Sequence, residues 1–320
     1  MSRRLARGAL AAVAAAAAMG VGCGDGDGGA GATPGTGAGP GDGTLVYALA
    51  DRAQELDPLM ATSRSDQVVT RQVHEPLVES LEGPFGEARQ RHGLARGWRP
   101  SGDREIWRFE LRRGVRFQDG TPFNASAVLA NVERWRTTEQ GRGLLPQLVA
   151  ADAPRPDLVR LIFARPVGDL PSRLASPRLG IVSPAALRPR SGRGAELAGT
   201  DRTGTGPFEL RERERERIVV ARNVSWWGTQ DGLGPALDQV EFRVVASERE
   251  RLALLRRGTV QVADSLPRTA IAQVRDDPLL TYVDGAGPRI LGLERSVRGL
   301  ESARAVEPLS DVWLTTIGVE

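Results

Sequence analysis

The sequence predicts an α/β fold, because segments with strand character and segments with helix character alternate along most of the chain. Three observations carry this prediction: the apolar strand signal at 44–49, the alternation of apolar and charged residues at 107–112, and an amphipathic helix pattern at 125–135. With 320 residues, of which 40% are apolar and 26% charged, the chain can bury a sizeable core.

The first 23 residues have the pattern of an export signal. Three arginines among the first seven residues precede an apolar run from Ala9 to Ala18, which is too short to span a bilayer. The sequence Gly-Val-Gly-Cys then resembles a bacterial lipobox, in which Cys23 would receive a lipid before cleavage. Gly20 stands where a lipobox usually has Leu, so ordinary cleavage nearby is the alternative. Cys23 is the only cysteine, and no internal disulfide can form.

Residues 24–43 are a predicted tether, because half of these twenty residues are Gly and none of the others brings a large apolar side chain. A flexible chain of this length has a root-mean-square reach of about 25 Å. All 43 basic residues are Arg, and without the three N-terminal ones 40 arginines balance 40 acidic residues. With interspersed charges and only 5% aromatic residues, the sequence offers no surface for nucleic acid.

The folded part is predicted to begin with the strand 44–49, which a polar segment, 51–57, follows. Apolar residues then recur with helical spacing. They predict an amphipathic helix over 66–81 that is interrupted at Pro76.

The next part of the chain predicts a strand, two turns and a helix. The strand at 107–112 has one apolar face for the core, and Gly114 and Gly120 supply the turns that follow it. Asn124 is the predicted N-cap of the helix 125–135.

The run from Arg211 to Arg217 alternates Arg and Glu without a break, so in a strand every Arg would face one side and every Glu the other. A helix is the competing interpretation. Strand signals at 208–210 and 218–220 favour an exposed hairpin, whose charges would oppose edge-to-edge aggregation.

Six further elements complete the predicted order. They are strands at 158–163, 218–222, 240–245 and 260–263, a helix at 247–257, and a returning final strand within 308–320. Gly258 follows the helix, at the position where glycine commonly ends one.

The residues that catalysis or metal binding needs are sparse. The two histidines, His74 and His92, have no other ligand at metal-binding spacing, which predicts no metal site. His74 is expected to be packed or on the surface rather than a general base. No Gly-x-Ser-x-Gly elbow is present, and the glycines at 204–207 lack the Gly-Lys-Ser/Thr of a phosphate loop. The sequence therefore indicates binding without catalysis or a cofactor.

The stretch 93–98 followed by 107–125 contains the most specific motif of the sequence. Its core, LRRGVRFQDGTPF, is similar to the signature Leu-Arg-x-Gly-Val-x-Phe-x-Asp-Gly-Thr-Pro-Phe of the bacterial extracellular solute-binding proteins of family 5, which bind peptides and nickel chelates for ABC importers. Weaker matches in the same order are LDP at 56–58, GTGPF at 204–208, RN at 222–223, WWG at 226–228 and LLRRG at 254–258.

The resemblance implies a fold like that of type II periplasmic binding proteins, in which a mixed-sheet lobe with a subdomain closes with a second lobe over the ligand. Only about fifty residues follow the position matching 258–267, so we expect the second lobe to be largely absent, through an internal deletion rather than a shortened chain. The expected division is a signal peptide at 1–23, a tether at 24–43, a main lobe from 44–80 and 200–320, and an inserted subdomain at 81–199.

By resemblance, the function would be that of a substrate-binding lipoprotein of an ABC-type importer. It would capture a peptide or another small solute as a monomer and deliver it to permease subunits. A lipid anchor at Cys23 would hold it at the membrane, facing the periplasm or the cell exterior. The alternative is a degenerate binding-protein lobe that acts as a protein-interaction or sensory module in the cell envelope. A hydrolase is a third, weaker hypothesis.

The resemblance also implies which segments face the ligand. They would hold an extended peptide chiefly through backbone hydrogen bonds. The predicted ligand-binding residues are Arg52, Ala53, Gln54, Ala263, Asp264 and Ser265. A plain surface or hinge loop is the alternative for these positions, and Trp226 and Trp227 are expected in the core rather than stacked on a ligand.

Overall fold

The computed structural model describes residues 43–82, 88–187, 203–231, 235, 237–266, 269–270, 274, 280–284 and 291–295. The predicted export signal with Cys23, the tether up to residue 42, and the predicted final strand within 308–320 lie outside these residues. All described residues belong to one compact unit. None of the described helices has the length and apolar character needed to cross a membrane.

The chain forms thirteen strands and five α-helices within the described residues. The strands are β1 (Thr44–Leu49), β2 (Val78–Glu82), β3 (Ala88–His92), β4 (Ala95–Pro100), β5 (Ile106–Leu111), β6 (Leu148–Arg155), β7 (Leu158–Phe163), β8 (Phe208–Arg213), β9 (Arg217–Arg222), β10 (Gln239–Val244), β11 (Val262–Ala263), β12 (Leu280–Asp284) and β13 (Leu291–Arg295). The helices are α1 (Arg64–Val73), α2 (Ala125–Thr137), α3 (Glu139–Leu144), α4 (Leu170–Leu174) and α5 (Glu248–Arg256).

The largest sheet has seven strands in the order β12-β13-β11-β1-β10-β9-β8. β1 runs parallel to both of its neighbours, β10 and β11, whereas β9 and β13 run antiparallel to theirs. Two smaller antiparallel sheets pair β2 with β3 and order the remaining strands β4-β5-β7-β6. The α/β class and the mixed sheet predicted from the sequence are therefore confirmed.

β1 is buried from Leu45 to Leu49 because both faces of the large sheet are covered. Tyr47 packs in one cluster with Val69 of α1, and Ala48 packs in another with Leu255 of α5. The two helices thus lie on opposite faces of the sheet, and the central strand lies between them.

The four-stranded sheet packs against α2 in a separate core cluster. Burial alternates along β5 and β7, and Phe109 of β5 is buried together with Val128 and Trp135 of α2. Asn124 caps α2, because its side chain accepts a hydrogen bond from the Ala127 N–H at 3.1 Å. The strand, the cap and the helix predicted here are confirmed.

The helix predicted over 66–81 is wrong beyond residue 73. A capping box between Ser63 and Asp66 begins α1, and the chain becomes extended at His74. Pro76 has no N–H to continue the helix and disfavours helical conformation in the residue before it. The apolar residues that follow belong to β2, whose pairing with β3 cannot be seen in local spacing.

The charged run at 211–217 forms the predicted hairpin of β8 and β9, but its arginines do not share one face. The register shifts between Leu210 and Glu212, which makes Arg211 the extra residue of a β-bulge. Beyond the bulge Arg213 is opposite Ile218, a residue of the core cluster beneath α1. The strict alternation of Arg and Glu across the strand is therefore wrong, because one unpaired residue exchanges the faces.

The remaining predicted elements are confirmed within a few residues, namely those at 44–49, 158–163, 218–222, 240–245, 247–257 and 260–263. Sequence reasoning did not predict the strands β2, β3 and β4, which are rich in polar residues, nor β6, β12 and β13. The large sheet takes its strands from 44–49 and 208–295, and the smaller sheets take theirs from 78–163. The division into a main lobe and an inserted subdomain stays a prediction.

Candidate functional site

The two segments predicted to face a ligand lie at the same edge of the seven-stranded sheet. β1 and β11 are adjacent and parallel, with Ala48 opposite Ala263, so the segments 52–54 and 263–265 both lie at or beyond the carboxyl ends of these strands. In open α/β sheets, ligands bind in the crevice outside the carboxyl ends of the strands. We call this region the carboxyl edge. The predicted contacts with a ligand stay a prediction.

The six predicted residues differ in their access to solvent. Ala53, Ala263 and Asp264 are buried, whereas Arg52, Gln54 and Ser265 have exposed surface. Ser265 has a φ of 51°, in the left-handed region that L-residues rarely adopt, where the chain turns away from β11. A ligand at the carboxyl edge would meet the exposed side chains directly and the buried ones only through the shape they give the edge.

Asp264 is a fully buried carboxylate at the carboxyl edge. Its Oδ1 accepts a hydrogen bond from the Ala50 N–H at 2.9 Å, and its Oδ2 lies 3.4 Å from Nε of Arg64. Burial raises the pKa of Asp264, and the charges of Arg64 and Arg251 oppose that rise. Burial and the charge of Asp264 together raise the pKa of Tyr47. Asp264 therefore joins the end of β1 to the start of α1.

The guanidinium of Arg251 is the second buried charge at this edge. It donates hydrogen bonds to the carbonyl oxygens of Val245 at 2.6 Å, Ala246 at 2.9 Å, Asp264 at 3.0 Å and Ser265 at 2.8 Å. These carbonyls follow β10 and β11, so one side chain fixes both connections. A single Arg within a charged helix gives no sequence signal of this role, and sequence reasoning missed it.

The segment after β1 is fixed at both ends and has unused backbone groups between them. The Ala50 N–H is bonded to Asp264, and the Glu55 N–H donates to Oδ1 of Asp66 at 3.0 Å. Between these points, the N–H and C=O groups of residues 51–53 make no hydrogen bond to any described residue. These groups therefore have no partner among the described residues, and Asp51 and Arg52 have exposed surface at the carboxyl edge.

A second buried carboxylate, Glu75, lies where the family-like motifs converge. Its Oε1 accepts from Nε1 of Trp226 at 3.1 Å, and its Oε2 accepts from Nε1 of Trp227 at 2.9 Å and Oγ1 of Thr205 at 2.8 Å. The guanidinium of Arg112 lies 4.1 Å from the ring centre of Trp227. Burial raises the pKa of Glu75 to about 7, although the three hydrogen bonds oppose this rise. This cluster is an internal connection with little exposed surface.

The glycines at 204 and 206 allow close packing of two backbones. A Cβ at Gly204 would lie 1.8 Å from the carbonyl oxygen of Val73, and one at Gly206 would lie 2.6 Å from that of Gln72. The Gly-rich motif therefore packs against the carboxyl end of α1. This contact gives a structural reason for a glycine pattern that superficially resembles a phosphate loop.

His74 is a packed residue, as the sequence predicts. It is buried, and its Nε2 lies 2.7 Å from Oγ1 of Thr203. Burial lowers the pKa of His74 to about 4, so its ring is neutral at pH 7. Within the described part of the chain, no group of three or more His, Cys, Asp or Glu residues is arranged to hold a metal ion.

Comparison with known proteins identifies the family. The family model described as bacterial extracellular solute-binding proteins, family 5 Middle, matches residues 90–313, which is more than half of the chain. The chain belongs to this family. The motif at 107–125 that suggested family 5 lies inside the matched region.

Two curated relatives and one solved structure resemble this family 5 chain. Over 227 residues it is 29% identical to the probable D,D-dipeptide-binding periplasmic protein DdpA of Escherichia coli strain K12 and 32% identical to the glutathione-binding protein GsiB of Escherichia coli strain 536. The periplasmic binding protein AgaA of A. tumefaciens, solved with agropinic acid, has a TM-score of 0.65 and 25% identity. The binding-protein fold predicted by resemblance is confirmed.

The matched part is a fraction of each relative. The alignments cover 70% of this chain but only 43% of DdpA and 42% of GsiB, and the AgaA comparison covers 74% of this chain and 47% of that structure. The family 5 chain thus spans less than half the length of these three proteins. This coverage agrees with the expectation that most of a second lobe is absent from the sequence.

Proposed function

We propose that this family 5 protein is the substrate-binding component of an ABC-type importer and that it captures peptides at the carboxyl edge without catalysing a reaction. The unused backbone groups of residues 51–53 carry the proposal, because an extended peptide can add its own N–H and C=O groups to such a segment. The similarity to DdpA, a probable D,D-dipeptide-binding protein, and to GsiB, a glutathione-binding protein, supports peptides as the ligand class.

Side chains at the same edge would add selectivity to backbone binding. Arg52 offers a guanidinium whose side chain is 37% exposed, and the amide of Gln54 is exposed beside it. A guanidinium binds a carboxylate through two parallel hydrogen bonds, so a peptide with a free carboxylate near Arg52 would be favoured. Ser265, across the edge, adds a hydroxyl that can donate or accept.

Export and anchoring are part of the proposal. The arginine-rich start, the apolar run and Cys23 support a signal peptide and a lipid anchor, with the folded part outside the cytoplasmic membrane and permease subunits as partners. The intact mass of the mature wild-type protein is expected to match a chain that begins at Cys23 and carries a diacylglyceryl group. Cys23→Ser would abolish the lipid mass and move the protein from the membrane fraction to the soluble fraction. A lipid-free wild-type chain cleaved elsewhere would contradict the anchor.

Native mass spectrometry of the full chain tests peptide capture. The protein would be purified without denaturation from a host supplied with peptides, and its spectrum compared before and after denaturation. A released small mass is expected, together with saturable binding of glutathione or a D,D-dipeptide to the emptied protein. A folded chain that carries no ligand and binds neither these probes nor a mixed peptide pool would contradict the proposal. The interaction-module alternative, which the short coverage favours, would then lead.

Charge reversal locates the binding surface. Arg52→Glu is expected to weaken binding of a peptide carboxylate by about tenfold, because attraction becomes repulsion at the carboxyl edge. Arg99→Glu is the matched control, since Arg99 is 73% exposed on β4, in a different sheet. Equal effects of the two variants would show that net charge rather than the carboxyl edge governs binding.

A further inference from the structure

The turn of the β8–β9 hairpin and the segment that follows β1 each donate a hydrogen bond to the other. Nη2 of Arg213 donates a hydrogen bond to the carbonyl oxygen of Gln54 at 2.6 Å. In return, Nη2 of Arg52 donates to Oε1 of Glu216 at 3.0 Å. We call residues 213–217 the hairpin tip. In the sheet order β10 lies between β1 and this hairpin, so the two contacts reach across one strand.

The β-bulge at Arg211 directs Arg213 toward this segment. Before the bulge, Phe208 and Leu210 lie on the sheet face that packs beneath α1. Regular alternation would put Glu212 on that face next, but the extra residue puts Arg213 there instead, opposite Ile218. Ala53 packs in the same cluster as Ile218. The bulge therefore supplies a cation on the face along which the segment runs.

Glu212 and Arg217 consequently share the opposite face of the sheet. Glu212 forms an ion pair with Arg217, and Nε of Arg217 lies 3.1 Å from Oε2 of Glu241 on β10. The carbonyl oxygen of Glu216 also accepts a hydrogen bond from the Val244 N–H at 2.9 Å. The hairpin tip is thus attached to the end of β10 and is a fixed support rather than a free loop.

The contacts fall on the part of the segment that has the fewest other constraints. Its backbone is bonded at Ala50 and at Glu55, and its groups at 51–53 are unused among the described residues. Between these two points, the hydrogen bond to the Gln54 carbonyl and the ion pair of Arg52 are the polar contacts that the described residues make. An exposed ion pair by itself contributes little. A hydrogen bond from a guanidinium to a carbonyl is stronger than one between neutral groups.

We propose that the hairpin tip is a positioning element that holds residues 51–54 in the conformation in which their backbone groups face the carboxyl edge. Arg213 is the main positioning residue, and Glu216 orients the guanidinium of Arg52. The element also determines ligand affinity, and this consequence alone rests on the proposed peptide binding. Because Arg213 and Glu216 act through other residues, neither needs to touch the ligand.

Hydrogen exchange of the ligand-free full chain tests the positioning role. In Arg213→Ala the hydrogen-bonded amides that flank the segment, those of Ala50, Glu55 and Asp57, are expected to exchange about tenfold faster than in the wild type, because local opening loses one charge-assisted hydrogen bond. Arg215→Ala is the matched control. Arg215 is an exposed residue of the same turn and makes no hydrogen bond or ion pair to any described residue. Its variant is expected to exchange as the wild type does.

Two further outcomes separate positioning from general stability. Exchange in α2 and β5, which are remote from the hairpin, is expected to be unchanged in Arg213→Ala. Equal exchange of the Ala50, Glu55 and Asp57 amides in both arginine variants would overturn the proposal, as would a uniform increase over the whole protein. Glu216→Gln, which keeps the shape of the side chain but removes its charge, is expected to give a smaller increase than Arg213→Ala.

Affinity measurements then test the consequence. If the wild type binds glutathione or a D,D-dipeptide, Arg213→Ala is expected to bind the same peptide about fivefold to tenfold more weakly than the wild type. Arg215→Ala is expected to bind it with the affinity of the wild type. A wild type that binds no peptide would contradict the proposed function, while the exchange experiment would still decide the positioning role. Faster exchange with unchanged affinity would refute the claimed effect on binding.

Discussion

The buried carboxyl of Glu75 makes the stability of this protein depend on pH in a direction that can be calculated. Its pKa rises from an ordinary 4.5 to about 7 because burial disfavours the charged form more than its three hydrogen bonds favour it. The folded state therefore keeps this proton up to about pH 7, whereas the unfolded chain releases it near pH 4.5. The contribution of Glu75 to stability is complete below pH 4.5 and is lost as the pH rises to about 7.

The magnitude follows from the difference between these two pKa values. One pKa unit corresponds to about 1.4 kcal/mol, so the rise from 4.5 to about 7 corresponds to about 3 kcal/mol. Glu75→Gln removes the titration while it keeps the shape of the side chain. The variant lacks one acceptor for the indole and hydroxyl donors, which costs stability at every pH. The free energy of unfolding of Glu75→Gln minus that of the wild type is expected to rise by about 3 kcal/mol from pH 4 to pH 8.

Subtracting the two stability curves isolates this effect from the adjacent His74. The pKa of His74 is lowered from 6.5 to about 4, so its contribution to stability is present above pH 6.5 and is lost as the pH falls to about 4. In the wild type the two residues thus act in opposite directions over nearly the same range, and each partly hides the other. The difference between wild type and Glu75→Gln removes the shared contribution of His74.

Urea unfolding at pH 4 to 8, followed by far-ultraviolet circular dichroism, measures both curves. Glu133→Gln is the matched control, because the Glu133 side chain is 60% exposed on α2 and its neutralisation should leave the difference nearly flat. A difference for Glu75→Gln that does not change with pH would refute the reasoning. It would mean that the pKa of Glu75 is the same in the folded and the unfolded protein.

Two further predictions concern contacts made by Gly204 and Asp57, which belong to the family-like motifs. Gly204→Ala is expected to destabilise the fold by about 3 kcal/mol or more, because its Cβ would lie 1.8 Å from the Val73 carbonyl oxygen. Gly97→Ala, which has open space at its Cβ, is the control, and equal melting temperatures of the two variants would contradict the steric argument. Arg134→Leu is expected to cost about 2–4 kcal/mol in urea unfolding because it leaves the buried Asp57 carboxylate without its guanidinium partner, and a loss below about 1 kcal/mol would show that this pair is not a major contact.

Much of the fold could be predicted because its signals are local. The apolar run at 44–49, the alternation at 107–112 and the cap at Asn124 each describe a few neighbouring residues, and each gave an element within two or three residues of its observed bounds. The helix over 66–81 failed for the converse reason. Pro76 ends the helical conformation, and the residues after it form a strand by pairing with β3, which the spacing of apolar residues within 66–81 does not show.

Less of the candidate site could be predicted. The resemblance singled out 52–54 and 263–265, and the parallel pairing of β1 with β11 brings them to one edge. Neither Arg64 nor Arg251 had any local signal, since each is one Arg among many in a charged sequence. Their roles depend on Asp264 and on carbonyl groups that only the folded chain brings within hydrogen-bonding distance.

The sequence by itself determined the fold class, the family and the expectation of binding without catalysis, because the order of motifs and the periodicity of apolar residues are properties of the linear chain. Only the tertiary structure decided how charges are used. The bulge at Arg211 gives the clearest case, since the repeating Arg-Glu pattern predicts one face for every arginine. A single unpaired residue, permitted by the partner strand, reverses that order and puts Arg213 within 2.6 Å of the Gln54 carbonyl oxygen. Side-chain period is a property of one strand, whereas the register that directs a side chain is a property of two.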